Sequence, residues 1–254
     1  AYEILVASSA ELLRQDKGDL WNSGCVVSDE SVNIVYKGKS LKANQKCFWK
    51  VRICDEQGNW SAWSSPGFWG MGLFPDNWSG QWIGCELMER QSVGGQKIDN
   101  KMSDPWFRKT FDLPEEVRDA IIYIASIGYH ELYVNGQKVG DAVLSPSVTD
   151  HKSRARYMAY DITQYLNSGE NVIALWLGVS WSIFPAYQRV GEPAIPMALV
   201  QTEMELLSGK KQRLISDETW KVHASPNTLI GYWEAHHFGG EFYDASLEKP
   251  GWNT

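Results

Sequence analysis

Apolar and polar residues alternate with period two in short runs all along this chain, and nowhere does an apolar stripe of period 3.6 persist for the dozen or so residues of a core-facing helix. The clearest alternation falls at residues 2–7 and 48–53, and further strand-like segments follow at 107–113, 120–127, 131–134, 172–177, 197–206 and 220–224. Parallel strands need crossovers of a dozen residues or more, usually helical, so βαβ units have no support. The strands must pair antiparallel. The pattern predicts an all-β chain: a small sandwich followed by a larger antiparallel β-sandwich, best read as a jelly roll.

Turn residues divide the runs. Gly18, Gly24, Gly38 and Asn44 sit at hairpin-like spacing, and Asp55-Glu56-Gln57-Gly58-Asn59 is a turn by composition. Ser9 can cap one helical turn that faces Leu12 and Leu13 inward. Within 48–53 the alternation sets Lys50 and Arg52 on a polar face. The pattern breaks at Gly70-Met71-Gly72-Leu73-Phe74-Pro75-Asp76, placing a boundary between Gly70 and Trp78 and domains at 1–74 and 75–254. Asn135-Gly136, between Val134 and Val139, is the strongest hairpin signal. Asp161 to Asn171 reads as a short capped helix or turn with Gly169 as its stop. Residues 86–105, with Gly94-Gly95 and Pro105, read as a surface loop.

Several function classes drop out. Lys and Arg number 24 against 31 Asp and Glu, a net charge of −7, so no basic face exists to neutralise phosphates. Nucleic acid and anionic membrane are excluded as partners. Apolar runs such as 172–179 fall far short of the roughly 20 residues of a membrane span. Cys25, Cys47, Cys54 and Cys85 form no CxxC pair and have no His at zinc spacing, and Cys47 and Cys54 should face opposite sides of one strand. G-x-S-x-G, P-loop, HExxH and strand–GxGxxG–helix signatures are all missing. The start, AYEILV, has no Met, basic n-region or long apolar h-region, which fits a removed signal or a trimmed chain. Asn59-Trp60-Ser61 and Asn77-Trp78-Ser79 are formal glycosylation sequons.

Thirteen Trp stand beside 11 Tyr and 8 Phe, which serve either as core or as a surface for the apolar faces of sugars. Trp181, Phe184 and Tyr187 lie beyond the end of the 172–177 strand, where rings are free to meet a ligand or to cluster in a loop. Asp150-His151-Lys152-Ser153-Arg154 mixes acid, imidazole and base in a polar loop; its alternative is a solvated surface. Glu241 and Asp244 could pair as glycosidase carboxylates or serve a turn. His236-His237 would share a metal only across a bent backbone. The candidate carbohydrate contacts are Trp181, Tyr187, Asp150, Arg154 and Glu241.

The string Gly128-Tyr129-His130-Glu131-Leu132-Tyr133-Val134-Asn135-Gly136-Gln137-Lys138-Val139-Gly140-Asp141 resembles the N-terminal jelly-roll domain of bacterial α-L-rhamnosidases. The likeness continues through Leu144-Ser145-Pro146, Thr149-Asp150, Arg154, Tyr157, Asp161-Ile162-Thr163 and Gly169-Glu170-Asn171 to Gly240-Glu241, Tyr243-Asp244-Ala245, Glu248 and Gly251-Trp252. Residues 1–74, with Tyr2-Glu3-Ile4-Leu5-Val6-Ala7-Ser8 and Ser61-Ala62-Trp63-Ser64, resemble the fibronectin type III-like domain that precedes it. The sequence departs from the family pattern at Ser180, Ser182, His151 and Ser246, where the family has Gly, Tyr, Tyr and Arg.

The resemblance implies a parent glycoside hydrolase whose inverting pair of glutamates lies in a C-terminal (α/α) toroid of the same protein, for which this chain has no helical hairpins. It also implies a rhamnose-containing glycan as partner, calcium as a conceivable cofactor of the jelly roll, and a periplasmic or secreted location. The pattern runs to the last residues, so a strand or two beyond Thr254 and an unpaired edge are expected. The leading expectation is a non-catalytic N-terminal region that positions the catalytic domain and holds carbohydrate. Its alternatives are a free-standing lectin-like module, a pure scaffold, or a small glycosidase using Glu241 and Asp244.

Overall fold

A computed structural model describes residues 1–85, 104–151, 153–178, 196–230 and 240–254. They form two compact units, Ala1–Trp78 and Ser79–Thr254.

In the first unit, β1 (Tyr2–Ala7), β2 (Trp21–Asn22), β3 (Lys46–Ile53) and β4 (Gly67–Gly70) make an antiparallel sheet in the order β2-β1-β3-β4. Alternation along β1 sends Leu5 and Ala7 against Leu13 on one face, and Val6 against Leu20 and Cys47 on the other. Leu13 belongs to the single helical turn α1 (Ala10–Arg14), which starts where Ser9 Oγ accepts from the Leu12 N–H at 3.2 Å. Such a cap is worth about 1 kcal/mol. Tyr36 and Leu41, from a stretch without strand pairing, cover the Val6 face. All four cysteines are free thiols, with Cys47 buried.

The Lys50 and Arg52 face is covered. Trp60-Ser61-Ala62-Trp63-Ser64 runs beside β3, and the hydroxyls of Ser61 and Ser64 accept from the Ile53 and Val51 N–H groups at 3.1 Å. In return the N–H groups of Ser61 and Ser64 donate to the Ile53 and Val51 carbonyls at 2.8 Å. The arrangement lays Trp60 and Trp63 over the cations: the Arg52 guanidinium is 4.7 Å from both ring centroids and the Lys50 ammonium 4.9 Å from that of Trp63. Glu3 accepts from Arg52 Nε at 2.8 Å, and Asp16 pairs with Lys50, which is only 7% exposed. Alternation was right about direction; a covering segment ten residues downstream decided the environment.

The second unit continues with β5 (Ile83–Gly84), β6 (Pro105–Leu113), β7 (Val117–Ile127), β8 (Tyr129–Val134), β9 (Gln137–Lys138), β10 (Tyr157–Asp161), β11 (Gly169–Gly178), β12 (Met197–Leu206), β13 (Lys211–Ile215) and β14 (Lys221–Ala224). One sheet runs β10-β7-β12-β13, with β5 against β12, and the other runs β14-β6-β11-β8-β9. All pairings are antiparallel, and the long strands β6, β7 and β8, then β10, β11 and β12, alternate between sheets, as a jelly roll requires. Ile122, Ile124 and Val200 of the first sheet meet Phe107, Leu132, Ile173 and Leu175 of the second in one core. A further hairpin, β15 (Asn227–Ile230) with β16 (Gly240–Tyr243), stands apart from both sheets.

Local signals map onto particular turns. Asn135 and Gly136 take φ of +49° and +80° between the paired Val134 and Gln137, a two-residue type I′ turn. Asp161 Oδ1 accepts from the Thr163 N–H at 3.0 Å and opens a single 3₁₀ turn, Thr163–Tyr165. Gly169, at φ +89°, begins β11 rather than ending a helix. Of the expected 86–105 surface loop, residues 86–103 lie outside the described residues, but Asp104 and Pro105 are buried at the head of β6. Among the described residues no helix is long and apolar enough to cross a membrane.

Candidate functional site

The outer face of the β14-β6-β11-β8-β9 sheet carries rings that the core does not use. Register sets His223, Trp106, Trp176 and Glu131 side by side in one row across four strands. Trp176 meets Trp106 edge-on, with centroids 5.8 Å apart at 87°, and Trp252 lies flat on Trp106 at 4.5 Å and 3°. Tyr133 meets Trp252 edge-on at 5.4 Å. This face is therefore an aromatic layer rather than the polar exterior that alternation alone would assign.

Beside Trp176 lies a cleft of about 280 Å³, walled by Asp104, Tyr129, Glu131, Asn227 and Glu241 among others. Asp104, Asn227 and Glu241 come from three segments: the residue before β6, the first residue of β15 and the second residue of β16. Asn227 Nδ2 donates to Asp104 Oδ2 at 3.1 Å and to Glu241 Oε2 at 3.2 Å, so one amide holds two carboxylates together. Asp104 is 2% exposed. Burial first, and the nearby Asp104 charge second, push the Glu241 carboxyl above its ordinary range.

The lip and floor are also unusual. Leu144 holds φ +53°, where a non-glycine side chain costs about 1–2 kcal/mol, and it stays 69% exposed. Strain of that kind collects at sites where geometry matters more than stability. Beneath, the buried His130 ring joins Ser126 Oγ at 2.9 Å and the Tyr160 hydroxyl at 3.0 Å. Ser126 donates its hydroxyl proton to the Gly128 carbonyl, so His130 Nδ1 must donate to Ser126 and Nε2 accept from Tyr160. Burial lowers its pKa to about 4, so the ring is neutral.

Of the sequence candidates, Glu241 is brought into this cleft. Asp150 and Arg154 close a separate turn, with the Arg154 N–H donating to the Asp150 carbonyl at 3.0 Å, and neither lines the cleft. Trp181, Phe184 and Tyr187, with Ser180, Ser182 and His236-His237, lie outside the described residues. Asp244 accepts from the Ser246 hydroxyl at 2.6 Å and its N–H at 3.0 Å, capping a 3₁₀ turn, and this holds its carboxyl below the usual range. It serves the turn and is no wall of the cleft.

Asp104 and Asn227 were missed by sequence reasoning. Neither sits in a motif, and they meet across 123 positions.

Among the described residues no group of three or more His, Cys, Asp or Glu is placed to hold a metal. Calcium takes six to eight oxygens, whereas the amide between the two carboxylates presents N–H donors. The described residues do not fit a calcium centre. They do fit a neutral polyhydroxylated ligand, since carboxylate acceptors beside flat rings match hydroxyls and C–H faces.

Residues 115–254 match the family described as the alpha-L-rhamnosidase N-terminal domain, and residues 1–75 match the Rha78A-like, N-terminal immunoglobulin domain. The chain belongs to the alpha-L-rhamnosidase N-terminal domain family. Fibronectin type III and immunoglobulin domains share the sandwich architecture, so both halves of the all-β expectation are met. An alpha-L-rhamnosidase of Formosa agariphila is 35% identical over 274 residues, covering all of this chain and 28% of that protein. One of Streptomyces avermitilis is 33% identical over 267 residues, covering all of this chain and 24% of that protein. A solved alpha-L-rhamnosidase from Dictyoglumus thermophilum superimposes with a TM-score of 0.83 at 32% identity, over the whole of this chain and 28% of its own. The chain thus spans about a quarter of the length of these relatives.

Proposed function

We propose that this chain is the non-catalytic N-terminal region of an α-L-rhamnosidase-like glycoside hydrolase, and that its second unit holds a rhamnose-containing glycan in the cleft beside Trp176. The catalytic machinery belongs to the remainder of the protein, consistent with relatives nearly four times as long. The observation that carries the binding role is the Asp104–Asn227–Glu241 bridge, with one buried carboxylate and one of raised pKa at 3.1 and 3.2 Å from a shared amide. Two like charges held this close are costly, and hydrogen-bond donors gathered around them offset the cost. Sugar hydroxyls are donors of the right kind.

Asp104, Asn227 and Glu241 would fix orientation, and Tyr129 and Trp176 would cover the apolar face of a ring. Asp150 and Arg154 would act at a second edge rather than in the cleft. A periplasmic or secreted location suits a protein that meets external glycan.

The test pairs hydrolysis with binding. The purified chain should leave 4-nitrophenyl α-L-rhamnoside intact, and saturation-transfer NMR should show contact to methyl α-L-rhamnoside that Asn227→Leu abolishes. Turnover by the chain would refute the non-catalytic assignment. Unchanged contact in the variant would refute the cleft.

A further inference from the structure

Trp176 also walls a second cavity. This space, of about 290 Å³, is enclosed by Trp106, Tyr133, Tyr243, Glu248 and Trp252 among others. Four of its walls are rings in mutual edge or stacked contact, and Glu248 is held by the Tyr243 hydroxyl at 2.6 Å.

A cage of rings beside a carboxylate could take a cation, but the donor inventory argues against it. Trp106 is 4% exposed and its indole Nε1–H is buried without a hydrogen-bond partner. An unpaired buried donor costs about 1–3 kcal/mol, and it is relieved by an oxygen acceptor. A cation offers none, whereas a pyranose brings ring and hydroxyl oxygens together with C–H faces for the indoles.

The two cavities belong to one face. Tyr129 walls the first and Tyr133 the second, four residues apart on the same side of β8, or about 13 Å at roughly 3.3 Å per residue. Two or three linked pyranoses cover that span.

We infer that the outer face of this sheet is an extended glycan track, in which the cleft at Asp104 and Glu241 takes one sugar and the aromatic cavity of Trp106, Tyr133 and Trp252 takes the next along the chain, with Trp176 as the shared wall. The inference rests on the carbohydrate reading of the first cleft and adds its preference: an oligosaccharide over a monosaccharide.

Intrinsic tryptophan fluorescence reads both. The chain is titrated with methyl α-L-rhamnoside and with a linear trisaccharide ending in α-L-rhamnose, and the two are repeated on Trp252→Ala and Trp106→Phe, with melting curves to confirm folding. The trisaccharide should bind about tenfold tighter than the monosaccharide, or about 1.4 kcal/mol. Trp252→Ala should remove that advantage and leave monosaccharide affinity unchanged. Trp106→Phe, which keeps the stack and deletes the N–H, should lose part of it. Equal affinities for the two sugars, or an advantage that survives both substitutions, would overturn the track while leaving the first cleft standing. No binding of either sugar would overturn both.

Discussion

Asn135 Nδ2 donates to Asn171 Oδ1 at 2.8 Å, tying the type I′ turn to the start of β11. Neither amide is left wanting. Asn135 also donates to the Tyr165 carbonyl and accepts from the Val172 N–H, while Asn171 donates to the carbonyls of Asn167 and Gly169 and accepts from the Asn167 N–H. Asn171 is 1% exposed, so removing it strands several backbone groups out of water. Asn171→Leu should cost about 3 kcal/mol, on a scale of roughly 1–3 for each buried group left unpaired. Urea unfolding checks it; a loss below about 1 kcal/mol would mean that water replaces the amide.

His130 sets an acid limit. Its folded pKa of about 4 lies below the unfolded value of 6.5, so between those values the unfolded chain binds more protons and stability falls as pH falls. At about 1.4 kcal/mol per pH unit, the loss from pH 7 to 4 should approach about 3 kcal/mol. His130→Gln should flatten this part of the profile. An unchanged slope in the variant would assign the acid sensitivity to other groups.

Glu241 should show the opposite sign. Its folded pKa is raised, so ionisation opposes folding at neutral pH and the penalty vanishes once the group is protonated. Glu241→Gln should melt higher than the parent at pH 7 and at the same temperature at pH 4, while weakening sugar binding. A lower melting point at pH 7 would show that the carboxylate is compensated.

Trp63 is partly buried against the Leu5, Ala7 and Leu13 cluster and covers two cations. Trp63→Ala should destabilise the first unit by about 2 kcal/mol, less than the 3–5 of a fully buried Trp. Denaturation of the chain followed by near-ultraviolet circular dichroism reads it, and an effect within about 0.5 kcal/mol would make the layer incidental.

What the sequence disclosed follows from the range of the forces involved. Period-two alternation placed β1 and β12 to the residue, and Ser9, Asn135-Gly136 and Asp161 announced their turns, because each acts within four residues. The cover over Lys50 and Arg52 was not legible, because burial depends on what later folds over a face. Glu241 was found as an acid in a suspicious place, but for the wrong partner: Asp244 is a neighbour in sequence, whereas Asp104 is the neighbour in space. The aromatic count was legible, but not its division between the core and the Trp106, Trp176 and Trp252 layer, since that layer needs three non-adjacent segments to meet.

The central claim, a sugar site built on Asp104, Asn227 and Glu241, is tested most directly by isothermal titration of methyl α-L-rhamnoside into the chain and into Asp104→Asn. The account predicts a dissociation constant near 1 mM, or about −4 kcal/mol, for the parent, and no measurable heat for the variant. Equal heats from both proteins, or none from the parent at tens of millimolar sugar, would contradict it.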